Sequence, residues 1–188
     1  MKKIPTLYLR DHTTRPPQLT REVNPAAQWV ADAEGIATVK HDGTCVLIAA
    51  GGTMFKRYET KAGKWPPADF MPAMPKPDPV TGKWSGWRPV NPDDPSDRWH
   101  VEAYDHHAAG TYELCGPKIQ GNPEGVHAHT LIRHGSVTLD DAPRDYDGLT
   151  AYLTDLPHEG IVWHHPDGRM AKLKRRDFGL QWPTGNTT

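Results

Sequence analysis

The chain has little of what holds small secreted or membrane-bound proteins together. Its 188 residues include only two cysteines, Cys45 and Cys115, which stand alone and are too few for a disulfide framework. No apolar run is long enough to cross a bilayer. The start, Met1-Lys2-Lys3-Ile4-Pro5, lacks the apolar stretch of a secretory signal. These absences predict a soluble protein of the cytoplasm, with reduced thiols and no membrane partner. Internal repeats are absent too. A formal net charge of −1 excludes a polycation that grips nucleic acid with its whole surface. The length fits one domain, 1–188, and leaves no room for a large second module.

The charge that is present is unevenly spread. Lys172, Lys174, Arg175 and Arg176 cluster late in the chain, whereas Asp93, Asp94 and Asp97 sit in the middle. A local basic patch on a neutral body can hold a polyanion, although alone such a cluster is more often a solvated strand end. Eleven histidines include the groups His106-His107, His127-x-His129 and His164-His165. None has the helical spacing of a zinc pair, and His164 and His165, as strand neighbours, point to opposite faces.

Hydrophobic patterning predicts α+β structure with several antiparallel strands and a few short helices. Residues 1–25 read as irregular and polar, broken by Pro16, Pro17 and Pro25. Trp29 to Glu34 reads as a short helix or turn. Strands follow at 36–39, 46–50 and 54–58, with Asp42-Gly43 as a tight turn between the first two. Nine prolines and four tryptophans crowd residues 61–99, predicting an ordered excursion that is neither sheet nor helix. Most of its tryptophans are expected to pack on the body, with one left for a ligand. Further strands are expected at 101–104, 111–115 and 130–133. A helix capped by Asp147 should run to Leu156, its apolar stripe made of Leu149, Tyr152, Leu153 and Leu156. The clearest hairpin joins 161–165 to 170–176 through Pro166-Asp167-Gly168.

The residues with chemical promise recur in a definite order. Lys40-His41-Asp42-Gly43 places an amine at the end of a strand, beside a glycine that lets backbone approach a ligand. In Thr111-Tyr112-Glu113-Leu114-Cys115, alternation puts Glu113 opposite Tyr112 and Leu114, giving one apolar and one carboxylate-bearing face. Glu159 precedes Gly160-Ile161-Val162-Trp163. Lys172 and Lys174 then share one strand face while Ala171 and Leu173 take the other. Two adjacent ammonium groups repel and call for an anion such as a triphosphate. A lysine amine that attacks an α-phosphate, with acids and cations around it to hold metal and phosphates, needs this set of residue types.

In this order, KHDG, KR, YELCG, EGIVW and KLKRRDF, the sequence resembles the covalent lysyl-nucleotidyltransferases, and among them the ATP-dependent RNA ligases of the small bacterial and phage type. The resemblance runs over roughly residues 27–178. It implies an ATP-grasp-like nucleotidyltransferase domain with two antiparallel sheets around a nucleotide cleft. Too few residues follow Lys174 for the OB-fold that accompanies DNA ligases and capping enzymes. ATP would be the cofactor, carried as covalent AMP, with Mg²⁺ or Mn²⁺, and RNA ends the partners. Carried over by position, Lys40 is the adenylated lysine and Lys174, with Lys172, contacts the α-phosphate. Thr38 contacts adenine, Asp42 and Gly43 complete the nucleotide turn, Arg57 meets ribose or phosphate, Glu113 accepts ribose hydroxyls, and Glu159 holds the metal. Arg175 and Arg176 extend the lysine strand toward RNA. The aromatic that stacks on adenine has no clear counterpart, His129, Leu131 and His134 being the local candidates. Two other activities share the pattern: adenylylation of a polynucleotide or protein without sealing, and non-catalytic nucleotide or RNA binding on the same fold.

Overall fold

Alternation of Lys172 and Lys174 with Ala171 and Leu173 fixes which face of the C-terminal hairpin is buried, and the rest of one unit is assembled behind that face. The computed structural model describes residues 3–15 and 17–182, so the readings of Met1, Lys2 and Pro16 lie outside the described residues. In chain order the elements are β1 (Tyr8–Asp11), β2 (Gln18–Val23), α1 (Gln28–Ala31), β3 (Ile36–Lys40), β4 (Thr44–Ile48), β5 (Met54–Glu59), β6 (Met71–Pro72) and β7 (Ser85–Pro89). They continue with α2 (Arg98–Ala103), β8 (Gly110–Cys115), β9 (Thr130–Arg133), α3 (Tyr146–Asp155), β10 (Gly160–His164) and β11 (Met170–Lys174). The α+β reading therefore holds. No helix among the described residues is long and apolar enough to cross a membrane.

Two compact units emerge. One is built from Ile4–Asp42 and Gly135–Pro183, the other chiefly from Gly43–His134. In the first, β11, β10 and β3 form an antiparallel sheet in that order. Backbone bonds between Lys172 and residues 5 and 7 cover the outer edge of β11, which leaves less unpaired edge for association. Ala37, Ile161, Trp163, Ala171 and Leu173 turn to one side and join Leu7, Tyr8, Trp29, Val30, Leu149, Leu153 and Leu156 in a single core. The opposite side of this sheet carries Thr38, Lys40, Lys172 and Lys174. Gly160 is required at the centre, because a Cβ there would lie 2.1 Å from the Leu173 carbonyl oxygen.

The second unit holds a six-stranded antiparallel sheet, ordered β6-β7-β5-β4-β8-β9. Its core side presents Val46, Ile48, Tyr112, Leu114 and Leu131. Glu113 and Cys45, alternating with these residues, lie on the other side, as the period-2 pattern requires. Lys56 pairs with Asp97, whose carboxylate also accepts the Asn91 N–H at 2.9 Å.

Several expectations are corrected. Residues 1–25 are not irregular: β1 and β2 form a two-stranded sheet anchored by the buried Leu7 and Tyr8. Asp42-Gly43 is not a hairpin turn, because β3 and β4 belong to different sheets. The 61–99 stretch does contribute strands: β7 pairs with β5 over five positions, Pro72 and Pro89 close β6 and β7, and the other seven prolines lie outside the strands. Val101 lies in α2 rather than a strand; Asp94 caps the turn at Pro95–Asp97 that leads into that helix. The helix cap before α3 is Asp145, not Asp147; its side chain accepts the Gly148 N–H at 2.8 Å.

Most consequential is the end of β11. The strand stops at Lys174, and Arg175–Phe178 turn into a 3-10 helix whose Asp177 carboxylate accepts the Lys174 N–H at 2.9 Å. Arg175 and Arg176 do not extend the lysine face. The Arg175 guanidinium caps the C-terminal end of α3, donating to the Leu153 carbonyl at 2.7 Å and also to Thr154 and Leu156. Arg175 therefore holds the fold together, and its expected RNA role is withdrawn. Arg176 stays exposed. Arg175→Ala should cost about 1–3 kcal/mol by leaving helix-end carbonyls unpaired, and Arg176→Ala less than about 0.5 kcal/mol. Urea unfolding of the two variants checks this, and equal losses would contradict the cap.

Candidate functional site

The exact register of β3, β10 and β11 brings three lysines from distant parts of the sequence onto one sheet face. Gly160 pairs with Lys40 on one side and Lys174 on the other, and Val162 sits between Thr38 and Lys172 in the same way. The lysines thus stand in two cross-strand rows, and the glycine leaves the middle of the first row without a side chain. Glu159, the residue before Gly160, fills the need that follows. It is 6% exposed, and its two carboxylate oxygens accept from Lys40 Nζ and Lys174 Nζ respectively. Burial alone would raise its pKa; Lys40 and Lys174 outweigh that and hold the carboxyl below its usual range.

The cations around it respond the opposite way. Burial, with Lys174 and Lys40 alongside, brings Lys172 down to about 8. Burial and then Lys40 lower Lys174, against the pull of Glu159. Asp42 is raised by burial and by the neighbouring Glu159 charge, while the Trp182 indole N–H donates to its carboxylate at 2.8 Å. The arrangement is a charge-dense, half-buried face carrying three ammonium groups, one ionised carboxylate held tightly between two of them, and a second carboxylate nearby. It is suited to an anion with several oxygens. Glu159 and Asp42 are hard oxygen donors of the kind Mg²⁺ and Mn²⁺ take alongside phosphate oxygens.

The other predicted residues divide. Thr38 is on the lysine face but 2% exposed, its hydroxyl donating to the Val162 carbonyl at 2.9 Å. In the second unit, Glu113 accepts the Gly43 N–H at 3.1 Å with one carboxylate oxygen and meets His134 Nε2 at 2.9 Å with the other. Gly43 can be nothing larger, since a Cβ would come within 2.2 Å of the Leu114 carbonyl oxygen. Arg57 lies on the same sheet side as Glu113, its guanidinium 5.3 Å from the ring centre of Trp87. Of the adenine-stacking candidates, Leu131 is a core residue. His129 stacks on Trp99 at 4.4 Å and bonds Glu102. Only His134 stands beside a predicted ligand residue. Among the tryptophans, Trp87 is buried, Trp84 donates to the Met74 carbonyl at 2.7 Å, and Trp65 is 91% exposed.

Sequence reasoning missed Trp182 and His158. Trp182 follows the last strand with no periodic signal; His158, edge-on to His41 at 5.3 Å, could have been noticed as the neighbour of Glu159.

Comparison with known proteins reaches the later part of the chain. Residues 105–188, somewhat under half of the sequence, match the family model of RNA ligase 1. RNA ligase 1 of Danio rerio is 33% identical over 86 residues, covering 41% of this chain and 26% of the relative. The Pongo abelii and Mus musculus proteins of that name are each 36% identical over 86 residues with the same coverage. This chain thus spans about a quarter of the length of the curated relatives it matches. These relatives are vertebrate, so the bacterial and phage type expected from sequence finds no support among them. The matched segment contains Glu113, Glu159, Lys172 and Lys174 and stops short of Lys40.

The depressed Lys172 makes stability pH-dependent in a defined sense. The folded protein releases that proton near pH 8, whereas the unfolded chain keeps it to 10.5. Across that window the unfolded state binds more protons, so stability attributable to Lys172 rises with pH. Lys172→Met should therefore be more stable than the parent near neutrality, by on the order of 2 kcal/mol. The advantage should shrink by about pH 9.5. Urea unfolding of both proteins at the two pH values measures the difference; an advantage that grew with pH would contradict the assignment.

Proposed function

We propose that the chain is an ATP-dependent RNA ligase that works through a lysyl-AMP intermediate. The observation that carries this reading is the three-lysine face, with Lys40 and Lys174 bound to the two oxygens of Glu159. The similarity of residues 105–188 to RNA ligase 1 supports the coarser part of this reading, a function related to RNA ligation. An amine nucleophile needs a neutral form, flanking cations for the phosphates, and a carboxylate to order them. Lys172 and Lys174 supply the cations and Glu159 the carboxylate in this reading.

In the first step Lys40 leaves Glu159 and loses its proton to solvent. Its nitrogen forms a bond to the α-phosphorus of ATP as the bond from that phosphorus to the bridging oxygen of pyrophosphate breaks, and pyrophosphate departs with the electron pair. Lys172 and Lys174 offset the negative charge on the phosphoryl oxygens in the transition state. Glu159 would hold Mg²⁺ or Mn²⁺, which neutralises phosphate charge when bound. A 5′-phosphate oxygen of RNA next displaces the lysine from AMP. A 3′-hydroxyl then attacks that 5′-phosphate, releasing AMP and forming the phosphodiester. Glu113 is assigned the ribose hydroxyls, Arg57 the ribose or phosphate, Thr38 the adenine, and Asp42 and Gly43 the turn beside the nucleotide. Arg176, exposed and next to the charge of Lys174, and the exposed Trp65 are the proposed RNA contacts.

ATP labelled on the α-phosphate should leave label on the denatured protein when Mg²⁺ is present. Lys40→Ala should remove it, and so should Lys40→Arg, because a guanidinium does not deprotonate. Lys172→Ala and Lys174→Ala should each slow labelling about 100- to 1,000-fold. Label retained in Lys40→Ala would overturn the reading. Arg176→Ala should weaken end-joining while sparing labelling, with joining much the more salt-sensitive step, as phosphate contacts require. Equal salt dependence of the two steps would rule Arg176 out.

A further inference from the structure

A second constellation, in the unit built around the six-stranded sheet, is unlike the lysine face in its chemistry. Cys45 on β4 and Glu113 on β8 are direct cross-strand partners. His134 follows β9, where its own N–H bonds the Thr111 carbonyl at 3.1 Å, placing it diagonally beside Glu113. The Sγ, one carboxylate oxygen and one ring nitrogen all lie within 4.8 Å of one another. Strand pairing fixes all three backbones, so the donors are arranged before any ligand arrives. His134 Nε2 meets Glu113, and its Nδ1 is buried without a hydrogen-bond partner. Glu113 is further oriented by the Gly43 N–H, the kind of outer hydrogen bond that steadies a metal ligand. Neither cysteine of the chain is in a disulfide.

We infer that Cys45, Glu113 and His134 form a site for a divalent cation of borderline softness, with Zn²⁺ the best match. A thiolate, an imidazole and a carboxylate together select against Mg²⁺ and Ca²⁺, which take oxygen donors, and suit zinc with a fourth position open to water. Binding replaces the Glu113–His134 hydrogen bond with two bonds to the ion; the proton of that bond moves to His134 Nδ1, and the Cys45 proton is released to solvent. One consequence rests on the proposed function: Glu113 cannot hold zinc and ribose hydroxyls together. Zinc should therefore exclude the nucleotide and inhibit lysyl-AMP formation, at a place chemically separate from the hard-metal requirement at Glu159.

The full chain, stripped of metal by chelation, is titrated with Co²⁺ as a spectroscopic stand-in for zinc. A near-ultraviolet band from thiolate-to-cobalt charge transfer, saturating at one ion per chain and displaced by Zn²⁺, is expected. Cys45→Ser should lose the band, and His134→Gln should weaken Co²⁺ binding by more than about tenfold. Cys115→Ser serves as the thiol control and should keep the band. No band in the parent, or a band that persists in Cys45→Ser, overturns the site. Circular dichroism of each variant separates lost ligands from lost fold. In a parallel arm, Zn²⁺ is added to the Mg²⁺-dependent labelling reaction, with each protein compared to its own zinc-free rate. Inhibition that Cys45→Ser relieves supports competition at Glu113. A cobalt band without zinc inhibition leaves the metal site standing and overturns the ribose role of Glu113 instead.

Discussion

A buried carboxylate gripped by two ammonium groups is the interaction on which the first unit depends. Glu159 stands at the entry to β10, and its two partners come from the strands on either side. The pair of ion pairs works like a clasp across the sheet, fixing the ends of three strands in one row. Lysines on one half-buried face repel, and they are tolerable only because a carboxylate lies between them. Removing one partner of such a buried pair costs about 3–5 kcal/mol, since the other charge is left uncompensated. The same clasp keeps Lys40 in place until something more attractive to Glu159 takes its position. Structural need and proposed reactivity thus draw on the same three groups, Lys40, Glu159 and Lys174.

Around the clasp, backbone requirements are strict. Gly160 lies against the Leu173 carbonyl oxygen and Gly43 against that of Leu114. Each glycine is next to a residue of the proposed chemistry, Glu159 in one case and Asp42 in the other. Steric necessity at these positions explains why charged side chains can crowd without distorting the strands: the crowding is met by omitting a side chain from the neighbouring position. Asp177 does similar work at the end of β11. It pairs with Arg10 and accepts the Lys174 N–H, which ends the strand immediately after the last lysine.

Much of this was legible in the sequence where one period governed. Lys172-Leu173-Lys174 alternates cleanly, and so does Tyr112-Glu113-Leu114, so their faces were assigned correctly. The helix at 146–155 was legible from Leu149, Leu153 and Leu156. Reading failed where a local polar contact overrode the period. Arg175 and Arg176 continue a strand pattern, but Asp177 and Gly179 end it with a cap and a left-handed residue at φ 71°. Val101 to Tyr104 reads as a strand only if Asp94 and Pro95, a helix-entry signal, are ignored. The hairpin of β1 and β2 was hidden because neither strand alternates strongly and prolines fall between them. Cys45, Glu113 and His134 could not be found by spacing at all, because β4, β8 and the residue that follows β9 contribute them.

The pairing of β3 has a consequence for synthesis. Its backbone partners are β10, with Val137, Thr138 and Leu139 opposite its other edge. All of these are translated after the residues of the six-stranded unit, Gly43–His134. On the ribosome, therefore, the strand that carries Lys40 must wait while an entire sheet with its own core is completed downstream of it. The Thr38–Val162 contact spans 124 residues, and such long-range pairing is intrinsically slow. The lysine face therefore cannot be complete until β10 and β11 have been made, although the strand that carries Lys40 is among the first produced.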